Sequence, residues 1–197
     1  MPPISSDRSG DRSRPYHHGD LRAALLRAAE AALQAEPERN PSVRGLAQAL
    51  GVSATAPLAH FPTKQALLTA LATRGFDTLT AALDAETAET GASRRDRLAA
   101  LARAYLGFGA AHPGLYRLMF RTGQDRIEDP ALAAAAAEAF ARLHRAAGSK
   151  DTALAAWALV HGLVGLRSDG KLESVMDAPA QTQALAQLAA SHIAADD

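Results

Sequence analysis

Residues 42–68 read SVRGLAQALGVSATAPLAHFPTKQALL, and this stretch decides the fold. Pro41, Gly51, Pro57 and Pro62 punctuate it so closely that only short helices fit between them. Ser42 is placed to cap a helix that carries Val43, Leu46, Ala47 and Leu50 on one face, and Gly51 stands as its C′ residue. Ser53 can cap the next short helix, which is expected to carry Leu58 and Phe61 inward. Thr63 then caps a long helix that opens Lys64-Gln65-Ala66-Leu67-Leu68. Two short helices joined by Gly51-Val52-Ser53 make a helix-turn-helix.

Upstream of this motif, Leu21, Leu25, Ala28, Ala29 and Leu33 recur at helical spacing, which predicts an amphipathic helix from Asp20 to about Glu36 that Pro37 stops. Residues 1–15 lack apolar periodicity and read as a flexible basic arm carrying Arg8, Arg12 and Arg14. Downstream, the long helix from Lys64 is expected to reach about Glu89. Further helices are expected over Ser93–Ala111, Leu115 to about Thr122, Pro130–Ala147, Asp151 to about Arg167, and Pro179–Ala194. That makes about nine, with ends good to a few residues. The composition agrees, since 48 alanines and 26 leucines stand against only five valines and three isoleucines. Strong helix formers dominate and strand-favouring residues are nearly absent, so the chain is all-α. Short helices before residue 62 and long ones after it predict a helix-turn-helix domain over 16–62 and a larger helical bundle over 63–197.

Several function classes are excluded or disfavoured at this stage. There is no cysteine, which removes disulfides, thiolate metal sites and cysteine nucleophiles. No nucleophile–base–orienter set, glycine-rich phosphate loop or metal spacing is visible, so no enzyme, cofactor or metal site is expected. His17 and His18 are adjacent, face different ways, and read as solvated residues at the start of the first helix. No apolar run reaches the ~18 residues of a membrane span and no signal-peptide core is present, so a cytoplasmic protein away from membranes is expected. Twenty-one basic residues balance 21 acidic ones. Within that neutral total, no acidic residue occurs from Arg39 to Phe76, where Arg39, Arg44, Lys64 and Arg74 make a modest basic face.

The stretch 42–68, together with YHHGDLRAALLRAAEAAL at 16–33, resembles the TetR family of bacterial transcriptional repressors. Leu46-Ala47 and Leu50-Gly51-Val52-Ser53 match that family's second helix and turn. Phe61 matches the aromatic that ends its third helix, and Lys64-Gln65-Ala66-Leu67-Leu68 the start of its fourth. The resemblance implies that the third helix reads double-stranded operator DNA in the major groove, with Ala54, Thr55 and Ala56 towards the bases. Ser53, His60, Lys64, Arg44 and Arg14 are then the candidates for phosphate contacts. Two departures stand out: Leu58 occupies a place where the family usually has Tyr, and Ala59 one that is often basic or polar.

In the second half, HPGLYRLMF (112–120) and AWALVHGLVGL (156–166) look like the C-terminal domain of a TetR branch with a Trp-x-x-x-His-Gly pattern, here Trp157, His161 and Gly162. The family's fold implies an effector cavity, for which Tyr105, Phe108, Tyr116, Met119, Phe120, Phe140, Trp157 and His161 are the candidates. Each of these could equally be ordinary core. The last two helices, rich in Ala, Gly and Leu, are expected to form a four-helix bundle with a twofold mate. The resulting expectation is a homodimeric repressor released from its operator by a small apolar or aromatic effector. The alternative is a TetR-like scaffold that has lost DNA binding and holds only a ligand or a protein partner.

Overall fold

The computed structural model describes residues 21–88, 93–120 and 129–172, together with Gln183, Ala186, Gln187 and Ser191. Among these residues all regular structure is helical. The order is α1 (Leu21–Ala35), α2 (Val43–Ala49), a single 3-10 turn (Ala56–Ala59), α3 (Lys64–Ala88), α4 (Arg94–Ala111), α5 (Pro113–Phe120), α6 (Pro130–Ala147) and α7 (Lys150–Ser168). The expected helix over 179–194 falls mostly outside the described residues. Of its members, Gln183, Ala186, Gln187 and Ser191 are helical, and Ala186 is buried.

Local chemistry starts and stops these helices. Backbone N–H groups in the first turn have no intrahelical acceptor, and side-chain oxygens supply one: Ser42 to Gly45, Thr63 to Ala66, Ser93 to Asp96, Asp129 to Leu132 and Ser149 to Thr152. Each such cap is worth ~1 kcal/mol. Gly51 follows α2 with a φ of 66°, the left-handed conformation that a C′ glycine adopts without strain.

The third helix of the motif departs from the sequence expectation. It is a single 3-10 turn because Pro57 has no N–H to give and Pro62 ends the segment five residues later. Its hydrogen bonds accordingly span three residues, Leu58 to Thr55 and His60 to Pro57. One side chain also departs from the expectation: Pro57 is buried and Phe61 is 2% exposed, whereas Leu58, expected to point inward, is 46% exposed. Phe61 donates its N–H to the Pro57 carbonyl at 2.8 Å, a four-residue span that sets 57 and 61 on the inner face and leaves 58 outside it.

A single continuous hydrophobic cluster runs from Leu21 through α3 to Ala186. The long helix α3 packs against α1, α4, α5 and α6. Arg142 of α6 donates to both carboxylate oxygens of Asp84 on α3 at 3.0 and 3.1 Å, a two-pronged tie that holds the Asp84 carboxyl below its ordinary range. The short helix α5 wedges against the end of α1. A Cβ at Gly114 would sit 2.5 Å from the Leu33 carbonyl oxygen and 2.9 Å from Pro37 Cα, so only glycine permits this approach. Among the described residues, no helix is long and apolar enough to cross a membrane.

Gly114→Ala should therefore lower stability by about 1–3 kcal/mol, since backbone must give way to the methyl. Gly107→Ala, on α4 where a Cβ would meet nothing within 4 Å, should instead raise it by about 0.5–1 kcal/mol. Chemical denaturation of both variants checks the pair, and equal effects would refute the close contact.

Candidate functional site

The first surface to consider is the exposed turn between α2 and α3. Ser53, Ala54 and Thr55 are exposed, Ala56 and His60 are half-buried, and Arg44 on α2 and Lys64 at the start of α3 are exposed on the elements that flank the turn. Ser53 Oγ accepts from the Ala56 N–H at 3.2 Å and lies 3.3 Å from the Thr55 hydroxyl, so the local fold already occupies part of both hydroxyls. Arg14 lies outside the described residues. The four cations of the acid-free stretch are not equivalent. Arg39 pairs with Glu36 at 3.4 Å and Arg74 with Glu30 at 2.5 Å. Arg44 and Lys64 are exposed and make no ion pair among the described residues. Arg22, which the sequence reading did not single out, places its guanidinium 5.4 Å over the Phe61 ring and adds a third exposed cation to this face.

The second feature is a cavity of about 230 Å³ in the helical bundle. Each surrounding helix gives one face to it. Phe76, Leu79 and Leu83 come from α3, Leu98, Leu101, Ala102 and Tyr105 from α4, and Ala136, Ala139, Phe140 and Leu143 from α6. Ala156, Trp157 and Val160 come from α7, and Phe120 from the end of α5. The spacings of three, four and seven residues are those of a single helical stripe. Four alanines stand where larger side chains would fill the space, which is how a close-packed bundle comes to hold a cavity. Among the described residues no lining side chain carries a charge, and the polar side-chain atoms in the lining are Tyr105 Oη and Trp157 Nε1.

Of the residues expected to form an effector pocket, Tyr105, Phe120, Phe140 and Trp157 line the cavity. Tyr116 and His161 stand behind Tyr105 in a hydrogen-bonded group. Trp157 Nε1 donates to Tyr105 Oη at 3.1 Å, Tyr105 Oη lies 3.1 Å from Tyr116 Oη, and Tyr116 Oη is 2.6 Å from His161 Nδ1. Phe120 packs on this group, its ring centroid 4.7 Å from those of both Tyr116 and His161. Phe108 and Met119 do not line the cavity. Phe108 stacks near His112, and Met119 lies over Gly75 of α3. The leucines and alanines of the wall were not singled out in the sequence, because on a helical stripe a cavity wall and a packed core have the same pattern.

Burial governs the protonation of this group. It pushes the Tyr105 hydroxyl up to about 12, raises that of Tyr116 further, and moves His161 below its ordinary value of 6.5. The group is therefore uncharged at neutral pH. Among the described residues no three His, Asp or Glu side chains come together in a metal-binding cluster.

A histidine that resists protonation in the folded state weakens that state as pH falls, because the unfolded chain takes up the proton first, from about its ordinary value downward. His161→Gln keeps an acceptor for Tyr116 and cannot titrate. The wild type should thus lose stability more steeply than H161Q between pH 7.5 and 5. Parallel melting-temperature profiles would show that His161 is not held neutral.

Comparison with known proteins places these features in a family. A family model described as the tetracycline repressor-like C-terminal domain matches residues 98–192, which include four of the five helices around the cavity. No curated protein sequence matches the chain. A solved protein of unknown function from Rhodococcus sp. RHA1 is 32% identical, with a TM-score of 0.78, over 92% of this chain and 97% of that one. The TetR family transcriptional regulator PfmR from Thermus thermophilus shares the fold at 19% identity and a TM-score of 0.56, covering 86% of this chain and 96% of its own. A regulatory protein in the TetR family from Rhodococcus RHA1 does so at 20% identity and a TM-score of 0.58, covering 87% and 94%. With the sequence motif over 42–68, the C-terminal match and the shared fold, the chain belongs to the TetR family of transcriptional regulators.

Proposed function

We propose that the protein is a ligand-responsive repressor, with residues 1 to about 62 contacting operator DNA and residues 63–197 binding an effector and dimerising. The observation that carries this reading is the double role of α3. Its N-terminal end, capped by Thr63 and bearing Lys64, borders the exposed turn, and Phe76, Leu79 and Leu83 further along it form a wall of the cavity. Those residues lie roughly 18–28 Å along the helix from Lys64, at 1.5 Å per residue. A ligand that displaces the wall tilts α3, and the two reading turns of a dimer then lose register with successive major grooves. The ligand drives the change by its greater affinity for the non-binding arrangement.

The outer face of α7 supports the dimer. Leu154, Ala155, Ala158, Gly162, Gly165 and Leu166 form an exposed stripe, with both leucines 42% exposed. Small residues there allow a helix of a second copy to approach closely. A second reading, a scaffold without DNA binding, draws on Leu58 and Ala59, which are exposed on the turn and offer no hydrogen bond to DNA.

Arg22, Arg44 and Lys64 from two protomers give about six phosphate contacts, so binding to the DNA flanking the protein's own gene should fall with salt at a log–log slope of about −5. Arg44→Ala and Lys64→Ala should each flatten that slope by about 2 in fluorescence polarisation. No binding at ~50 mM salt would favour the scaffold. Replacing Leu154 and Leu166 together with Arg should convert a dimer to a monomer in light scattering; an unchanged mass would place the interface elsewhere.

A further inference from the structure

The hydrogen-bonded group behind the cavity has a direction, and that direction restricts the ligand. An indole N–H only donates, so Tyr105 Oη accepts from Trp157 at 3.1 Å. The shortest link, Tyr116 Oη to His161 Nδ1 at 2.6 Å, joins a hydroxyl to a ring nitrogen. If Nδ1 carried a proton, both tyrosine protons would need acceptors among these four groups. Only one proton fits between the two oxygens 3.1 Å apart, so one hydroxyl would be left without a partner. With the imidazole neutral and its proton on Nε2, both hydroxyl protons and the indole proton find acceptors: Trp157 donates to Tyr105, Tyr116 donates to His161 Nδ1, and Tyr105 donates to Tyr116 or to the same Nδ1, each 3.1 Å away.

In that arrangement both hydroxyl protons and the indole proton are spent within the group. What Tyr105 Oη still offers the cavity is one free lone pair. The polar spot on an otherwise apolar wall is therefore an acceptor and not a donor. A ligand hydroxyl or N–H there gains a hydrogen bond. An ether, carbonyl or carboxylate oxygen there would be buried facing a lone pair, with no proton to accept. Charged ligands are disfavoured further, since no lining side chain among the described residues is charged. At about 230 Å³ the cavity is half again as large as a cavity of ~150 Å³ that takes benzene, which suits one or two fused rings.

Resting on the reading of this cavity as the effector site, we propose that it selects neutral one- or two-ring molecules bearing a hydroxyl or N–H donor, with Tyr105 as the specificity-determining acceptor. Three probes of nearly the same shape separate the possibilities by calorimetry on the full chain: 2-naphthol, 2-methoxynaphthalene and naphthalene. The wild type should bind 2-naphthol about ten-fold more tightly than either of the others. Tyr105→Phe removes the acceptor and releases the Trp157 N–H as a donor, so the order of 2-naphthol and 2-methoxynaphthalene should reverse while naphthalene is unchanged. Trp157→Phe frees a further lone pair on Tyr105 and should keep the preference for 2-naphthol. A steric preference for the smaller substituent would survive Tyr105→Phe and would overturn the proposal. Binding of all three probes to the wild type without preference would overturn the donor selectivity alone. Saturable binding by none of them would overturn the effector-site reading, and this proposal with it.

Discussion

The backbone contact between α5 and the end of α1 is the constraint on which the rest of the molecule depends. Position 114 faces the Leu33 carbonyl at a distance that leaves no room for a Cβ. Because α5 is seated there, its far end is also placed. Tyr116 reaches the hydrogen-bonded group of Tyr105 and His161, Met119 lies over α3, and Phe120 enters the cavity wall. The exposed pair Arg117–Glu38 joins the same two elements, but an ion pair in solvent adds little. Steric fit, rather than charge, connects the small N-terminal elements to the bundle.

The bundle meets two opposing demands. A core of leucine and alanine would ordinarily close, and a close-packed bundle has no place for a ligand. Here Ala102, Ala136, Ala139 and Ala156 keep the wall set back, while the two-pronged Arg142–Asp84 tie holds α6 to α3 beside the space. The buried polar group adds rigidity, because its hydroxyls, indole N–H and imidazole nitrogen satisfy one another and a shift of any member leaves another unsatisfied. Wall and anchor together make the cavity a fixed shape with one polar point.

Much of the N-terminal half was legible because its signals are local. Ser42 and Thr63 cap the helices they were expected to cap, and Gly51 takes the left-handed conformation expected of it. Such signals act over three or four residues, which is the range that a sequence displays directly. The turn at 56–59 shows the limit. Pro57 was visible, but whether the chain there wound as an α-helix or a 3-10 turn depended on competing hydrogen bonds, and which of Pro57, Leu58 and Phe61 faced inward depended on the packing against them. Net charge was equally partial. Counting residues gave four cations from Arg39 to Phe76, and two of them are neutralised by glutamates of α1 or the residue after it.

By itself, the sequence determined the all-helical class, most of the places where helices begin and end, and the family. Helix propensity, capping and proline geometry are properties of neighbouring residues, so no tertiary information is needed to read them. Only the tertiary structure decided which aromatic residues meet. Tyr105 and Phe108 lie on one helix three residues apart, yet one borders the cavity and the other packs beside His112. It also decided that four alanines on three helices would leave a common space, and that Trp157, Tyr105, Tyr116 and His161 would hydrogen-bond as one group. These outcomes depend on how helices distant in sequence approach one another, and an apolar stripe looks the same whether a neighbouring side chain or an empty volume lies against it.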